Sequence, residues 1–447
     1  MTEKKKALYP TEPLKIWDDA KKLRTRIFNE YASAHADGKL RVFSSTSISP
    51  SLACGFKDVQ IMGLEPLLAQ LGATQDFALR CLGASENYGY SRDMCAMSKL
   101  VWGSALWDKF NLPDGTILEK WPKPDLMICT GLSGCHNKIM QFLGEYTETP
   151  FYLIDSPRFY PYNDDDTIDF LTLQVLDLIE WMEKTTKKKF DDELFIQGVY
   201  NQFRNFRLWT KIMLLNQTIP APLDEKTILA LITPNVTRPH TQEVVDFYTR
   251  VLEEVQDRVH RGIAAAANEQ FRVISDAIPP WSYLSIWRYL EKEYGAVYVG
   301  SPYSILVIGS WMLDKEGNLV PVPTPEEQNW KITNREEAIK ALMWYKSFFA
   351  TETSYTIASV EGHHECMKAI AKGWKANAAI LHCNRGCPMM GLGGVESRNV
   401  LQAAGLPSMI IEGSSSDPRD LNLVRTKEEI DIFLDFVGVK KATPTKA

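Results

Sequence analysis

Apolar positions along the chain follow two periods, and these mark out its elements. Trp17, Leu23, Ile27, Phe28 and Tyr31 recur at roughly helical spacing, so residues 1–40 read as an amphipathic N-terminal helical arm. From residue 41 to 160 the texture changes. Short continuous apolar runs at Asp125–Cys129 (DLMIC) and Phe151–Asp155 (FYLID) have the length of buried strands. The stretch between them, GLSGCHNKIMQFLGEY, reads as a turn followed by a helix.

Strand, turn, helix, strand in that order implies a parallel crossover, and so a Rossmann-like α/β unit over 41–160. Pro157 and Pro161 then break the pattern. Ile168, Leu171, Val175, Leu178 and Trp181 form one helical stripe, and Val244, Phe247, Val251, Val255 and Val259 form another, so 161–270 reads as a helical domain. A second Rossmann-like unit is expected over 271–439. It opens with FRVISDAIPPWSYLSIWRYLEKEYGAVYVG, read as strand, Pro-rich turn, helix and strand. Further strands are expected at Ala378–His382 and Ser408–Ile411, with helices near Arg335–Phe349, Glu396–Ala404 and Lys427–Val437. Residues 440–447 read as a disordered tail. The fold class is thus α/β: two parallel-sheet domains, a helical middle domain and a helical arm. No internal repeat is visible.

Composition narrows the function. The 447 residues carry 50 Lys+Arg against 56 Asp+Glu, a net charge of −6. No cationic excess is available to neutralise a nucleic-acid backbone, which argues against such a partner. The charged start, MTEKKK, has no apolar core like that of a secretory signal, and no window approaches ~18 uninterrupted apolar residues. A cytoplasmic protein with no membrane partner is the expectation. Eight cysteines in a chain of this length do not call for a disulfide scaffold.

Candidate chemistry is concentrated at the cysteines. No P-loop is present, and Gly391-Leu392-Gly393-Gly394 reads as a tight turn or close backbone approach rather than a dinucleotide loop. His363-His364-Glu365-Cys366 is dense in ligand types, yet neighbours on a helix point different ways. It reads either as a partly packed helix start or as a polar pocket wall with a proton-donating histidine. Cys135 and Cys387 follow expected strands, where a parallel sheet collects ligands. Gly131, Gly134 and Gly386 around them let backbone amides approach sulfur. Taken alone, dispersed single cysteines are equally well explained as buried inert thiols.

In order and spacing, NYGYSRDMCAMSK, CTGLSGCHNKIMQFL and AILHCNRGCPMM with GLPSMIIEG resemble the 2-hydroxyacyl-CoA dehydratase / benzoyl-CoA reductase family. The likeness runs from about Ser45 to Phe436. Within the family, SENYGYSRDMC and NRGCPMM are similar to the larger substrate-reducing subunit of the ATP-dependent benzoyl-CoA reductases. The resemblance implies a 4Fe–4S cluster held by Cys95, Cys135 and Cys387, one from each motif, with Cys383 and Cys129 as neighbours able to substitute. Cys54, Cys81 and Cys366 fall outside the motifs as packing residues. It implies dearomatising reduction of benzoyl-CoA or an analogue, with 2-hydroxyacyl-CoA dehydration or a cluster-free paralogue as alternatives. It implies a smaller paralogous cluster-binding subunit, ATP-hydrolysing activator subunits that bind the ATP in place of this chain, and reduced ferredoxin upstream. His382, Tyr88 and Tyr90 stand near the motifs as proton-donor candidates, although a tyrosine buried against backbone is the plainer reading of the last two.

Overall fold

The computed structural model describes residues 7–45, 49–131, 134–155, 164–276, 278–353, 360–387, 391 and 393–441. Two four-stranded parallel sheets organise it. The first holds β1 (Leu40–Ser44), β2 (Val59–Gly63), β3 (Leu126–Thr130) and β4 (Phe151–Ile154), in the order β2-β1-β3-β4. The second holds β5 (Phe271–Ile274), β6 (Ala296–Gly300), β7 (Ala378–Asn384) and β8 (Ser408–Gly413), in the order β8-β7-β5-β6.

Read from the other edge, the second sheet repeats the order of the first. The repetition is one of topology, and it is silent in the sequence because strand order is set by crossovers and not by matching residues. Each sheet reverses direction of winding between its first and third strands, and that switch point opens a crevice at the strands' carboxyl ends. Register puts Val42 opposite both Ile61 and Leu126, and Ala379 opposite both Ser408 and Ile274.

Strand burial explains which runs were legible. All five residues of β3 are buried, as a strand covered on both faces requires. β1 and β2 bury only their last three positions and gave no continuous apolar run. Two short antiparallel hairpins, Phe110–Asn111 with Ile117–Leu118 and Trp311–Leu313 with Leu319–Pro321, were not anticipated.

The helix Trp17–Ser33 is packed into the molecule. It buries Leu23, Ile27, Phe28 and Tyr31, against β2 and the short helix Thr233–Thr237. The middle of the chain is helical, chiefly Asp165–Thr186, Asp192–Leu215 and Gln242–Arg261. The helix Asp192–Leu215 joins the two sheets. Near its start it meets the helix Ser49–Cys54, and near its end Trp209 Nε1 donates to the Ser304 carbonyl. Among the described residues no helix is long and apolar enough to cross a membrane. The tail 442–447 and the Pro-containing segment 156–163 lie outside the described residues.

Candidate functional site

Cys95 caps the helix Ala96–Trp107, Cys135 lies in the first turn of the helix Gly134–Thr147, and Cys387 follows the turn after β7. The two sheets' third strands, β3 and β7, therefore deliver Cys135 and Cys387 beside the two switch points. Cys135 interacts with both of the others: its side chain pairs with that of Cys95, and it feels the charge of Cys387.

The two thiols of this pair are shifted in opposite directions, Cys95 down and Cys135 up. The hydrogen bond with Cys135 favours the charged form of Cys95 and outweighs the opposing effect of burial. No cap hydrogen bond closes onto its sulfur, yet the amides of Ser98 and Met97 face it from the helix start. Cys135 is pushed the other way. Cys95 and Cys387 are each only 9% exposed.

Gly386 makes the meeting of the two units close. Its φ is +77°, and a Cβ there would stand 2.9 Å from the Asp93 carbonyl oxygen and 3.1 Å from the Cys95 nitrogen. Charged groups on both sides of the crevice hold this contact. Lys99 is buried and donates to Glu86 (3.1 Å) and to the Arg92 carbonyl (2.6 Å), closing the loop that carries Cys95. From the second unit, Arg419 donates to both oxygens of Glu86 (3.0 and 2.6 Å) and to Asp417. Sequence reasoning missed this network. Its trace is the set of charges flanking the motif cysteines, Glu86 and Arg92 on one side and Asp417, Arg419 and Asp420 on the other.

The other cysteines are engaged elsewhere. Cys129 is buried in β3, donates toward Asn137 Oδ1 (3.3 Å), and burial pushes its thiol up to about 11. Cys383 donates to the Gly391 carbonyl (3.6 Å) and is likewise raised by burial. Cys54 donates to the Leu194 carbonyl (3.1 Å), while Cys81 and Cys366 are buried. Gly391 sits where a Cβ would stand 2.8 Å from the Asn384 carbonyl oxygen, a close backbone approach.

The proton-donor candidates fare differently. His382 has Nδ1 2.7 Å from the Ile278 carbonyl and Nε2 3.1 Å from the Gly413 carbonyl, so both ring nitrogens are committed to backbone. Burial lowers its pKa. Its place is that of a clamp between strand ends. Tyr88 is 57% exposed and stacks on Tyr90, which stacks in turn on Trp102. Both are ring contacts, where backbone-bonded tyrosines were expected. His363 sits on a partly packed helix start, one of the two readings the sequence offered, with His364 half-buried and Glu365 exposed. His363 itself is buried, with Nε2 3.2 Å from Asp276 Oδ2, just past the end of β5. Asp276 was not anticipated; its only sequence signal is its place directly after an apolar run.

Three thiols from three segments form a soft donor set suited to an iron–sulfur cluster. Among the described residues no group of three or more His, Cys, Asp or Glu closes around a point as one metal ion needs. A cluster spreads its thiolates over separate iron corners and does not ask for that convergence.

The paired parallel sheets, with Cys135 and Cys387 just past the ends of their third strands, make this an α/β protein of two like-wound units. The chain is a member of the family described as 2-hydroxyglutaryl-CoA dehydratase, D-component, which matches residues 59–436. It is 24% identical to the (R)-2-hydroxyisocaproyl-CoA dehydratase alpha subunit of Clostridioides difficile, over 89% of this chain and 90% of that one. It is 22% identical to the (R)-phenyllactyl-CoA dehydratase alpha subunit of Clostridium sporogenes and 21% identical to a subunit of the benzoyl-CoA reductase of Thauera aromatica. In both cases the match covers 80% of each chain.

Proposed function

We propose that this chain is the cluster-bearing subunit of an enzyme that acts on a 2-hydroxyacyl-CoA thioester, dehydrating it by radical chemistry. The observation that carries the reading is the meeting of Cys95, Cys135 and Cys387 at the two switch points. These three would hold a 4Fe–4S cluster, which when bound supplies single electrons at low potential.

The chain's own contributions follow from its geometry. The helix-start amides at Met97 and Ser98 favour negative charge on Cys95. The near-complete burial of Cys95 and Cys387 keeps water from the sulfurs, which protects radical intermediates. His363, with Nε2 3.2 Å from Asp276 Oδ2 past the end of β5, is in this reading the group that delivers a proton. The relatives are named as subunits. A smaller paralogous subunit, ATP-hydrolysing activator subunits and reduced ferredoxin complete the system in this reading.

Dearomatising reduction of benzoyl-CoA is the second reading. It is favoured by the benzoyl-CoA reductase relative and by the stretches SENYGYSRDMC and NRGCPMM. Electron stoichiometry separates the two. A dehydratase recycles its electron, whereas the reductase consumes a pair per turnover.

Anaerobic iron and sulfide analysis of wild type and Cys135→Ser, with EPR after reduction, is the first test. About four irons per chain, lost in the variant without unfolding, is the expected result. Folded wild type that stays iron-free after anaerobic reconstitution overturns the reading.

A further inference from the structure

A cavity of about 370 Å³ lies at the seam of four parts of the chain, apart from the three thiols. Phe28 and Arg24 reach it from the helix Trp17–Ser33, Glu65 from the helix Leu64–Gly72, and Lys226 from the helix Glu225–Leu231. Trp281 and Tyr303 close it from loops after β5 and β6. Its wall is mostly apolar and aromatic, with Trp281 set edge-on to Tyr303.

Arg24 is out of keeping with such a wall. Its Nε is sealed from solvent with no hydrogen-bond partner. Burial lowers its pKa, and no nearby carboxylate opposes that effect. Glu65 also lines the cavity, and its charge is felt at Tyr303. Trp281 Nε1 is a second buried donor without an acceptor. Unmet donors are costly to bury. Lys226 adds a second cation, held only loosely by Asp224 at 3.9 Å.

Two unmet donors, one of them on a cation, with Lys226 beside them on a mostly apolar wall, are the complement of an anionic head on an apolar body, seated away from Glu65. We propose that this seam cavity binds a small carboxylic acid with one ring or a short branched chain. Its carboxylate accepts from Arg24 and Trp281, and its apolar body lies against Phe28 and Tyr303. The volume stands near the lower end of small-molecule sites, ~300–1,000 Å³, and excludes a whole CoA thioester. A guest here touches the segments on either side of the crevice. The helix Leu64–Gly72 packs on Leu100 of the Cys95 helix, and Ser282, next to Trp281, donates to Ser415 beside the Cys387 turn. Binding to the folded chain alone therefore raises its thermal midpoint.

The test is calorimetric titration of the full chain with 3-phenylpropanoate and with its neutral amide, on wild type, Arg24→Gln and Trp281→Phe. One acid per wild-type chain is expected. Affinity should fall at least about tenfold for the amide and for Arg24→Gln, and less for Trp281→Phe. Unliganded thermal midpoints should stay together, which shows that the variants fold. Displacement of the acid by its CoA thioester would overturn the proposal, since the cavity does not hold a whole thioester. So would acid binding that does not depend on Arg24, or an amide that binds as tightly as the acid. No readout involves iron or turnover, so this test stands apart from the cluster reading.

Discussion

At Gly386 a single hydrogen atom separates a working contact from a clash. Its φ of +77° and the 2.9 Å gap from a would-be Cβ to the Asp93 carbonyl oxygen leave no room for a side chain. Gly386→Ala is expected to cost roughly 1–3 kcal/mol and to lift the Cys387 turn from the Cys95 loop. Urea unfolding and iron content check the two halves of that expectation, and unchanged values in both would contradict it. Glu225 governs a different property. Burial raises its carboxyl to about 7, against hydrogen bonds from Ser301 (2.5 Å) and Ser304 (2.8 Å). The folded chain thus keeps a proton that the unfolded chain releases near pH 4.5. Stability from this group is highest below that pH and is lost as pH rises to about 7. The loss is expected to be roughly 3 kcal/mol in wild type and absent in Glu225→Gln. Parallel unfolding curves for the two proteins at pH 5 and pH 8 would show the assignment to be mistaken.

Elements fix where these residues stand. The helices Gln75–Tyr88 and Ala96–Trp107 cross so closely at Gly103 that a Cβ there would fall 1.8 Å from the Cys81 carbonyl oxygen. Gly103→Ala is expected to cost about 2–4 kcal/mol, read as a lowered thermal midpoint, because backbone and not a flexible side chain must give way. The same elements show what a local pattern conveys. β3 and β7 stand close to where continuous apolar runs placed them, since strands buried on both faces leave that run; β8, an edge strand, is apolar only in its middle. β1 and β2, half-buried and five residues long, do not. The helices Arg335–Thr353 and Leu423–Phe436 begin and end within a few residues of their stripes, except that the latter starts four residues early, at an Asn422 cap.

Across the whole molecule, Arg419 ties the second unit to the first through Glu86, and Lys99 anchors Glu86 from below. Arg419→Gln is expected to lose about 1–2 kcal/mol, the scale of a partly exposed charged hydrogen bond. A double-mutant cycle with Glu86→Gln should return a coupling of at least about 0.5 kcal/mol. Additive losses would mean that the network does not join the units.

The sequence by itself determined the fold class, the helical middle and the three motif segments, because periodicity and short apolar runs are properties of neighbouring residues. It could not rank Cys95, Cys135 and Cys387 above Cys129 and Cys383 without a family resemblance. Tertiary structure sets Cys129 against Asn137 and Cys383 against Gly391, and pairs Cys135 with Cys95. It set both nitrogens of His382 against backbone carbonyls, set His363 against Asp276, and left Arg24 Nε without an acceptor at a seam. Each of these depends on residues from 8 to 104 positions apart in the sequence, or on segments as remote as Arg24 and Trp281. Such proximity is set by strand order and crossover packing, which no local pattern encodes.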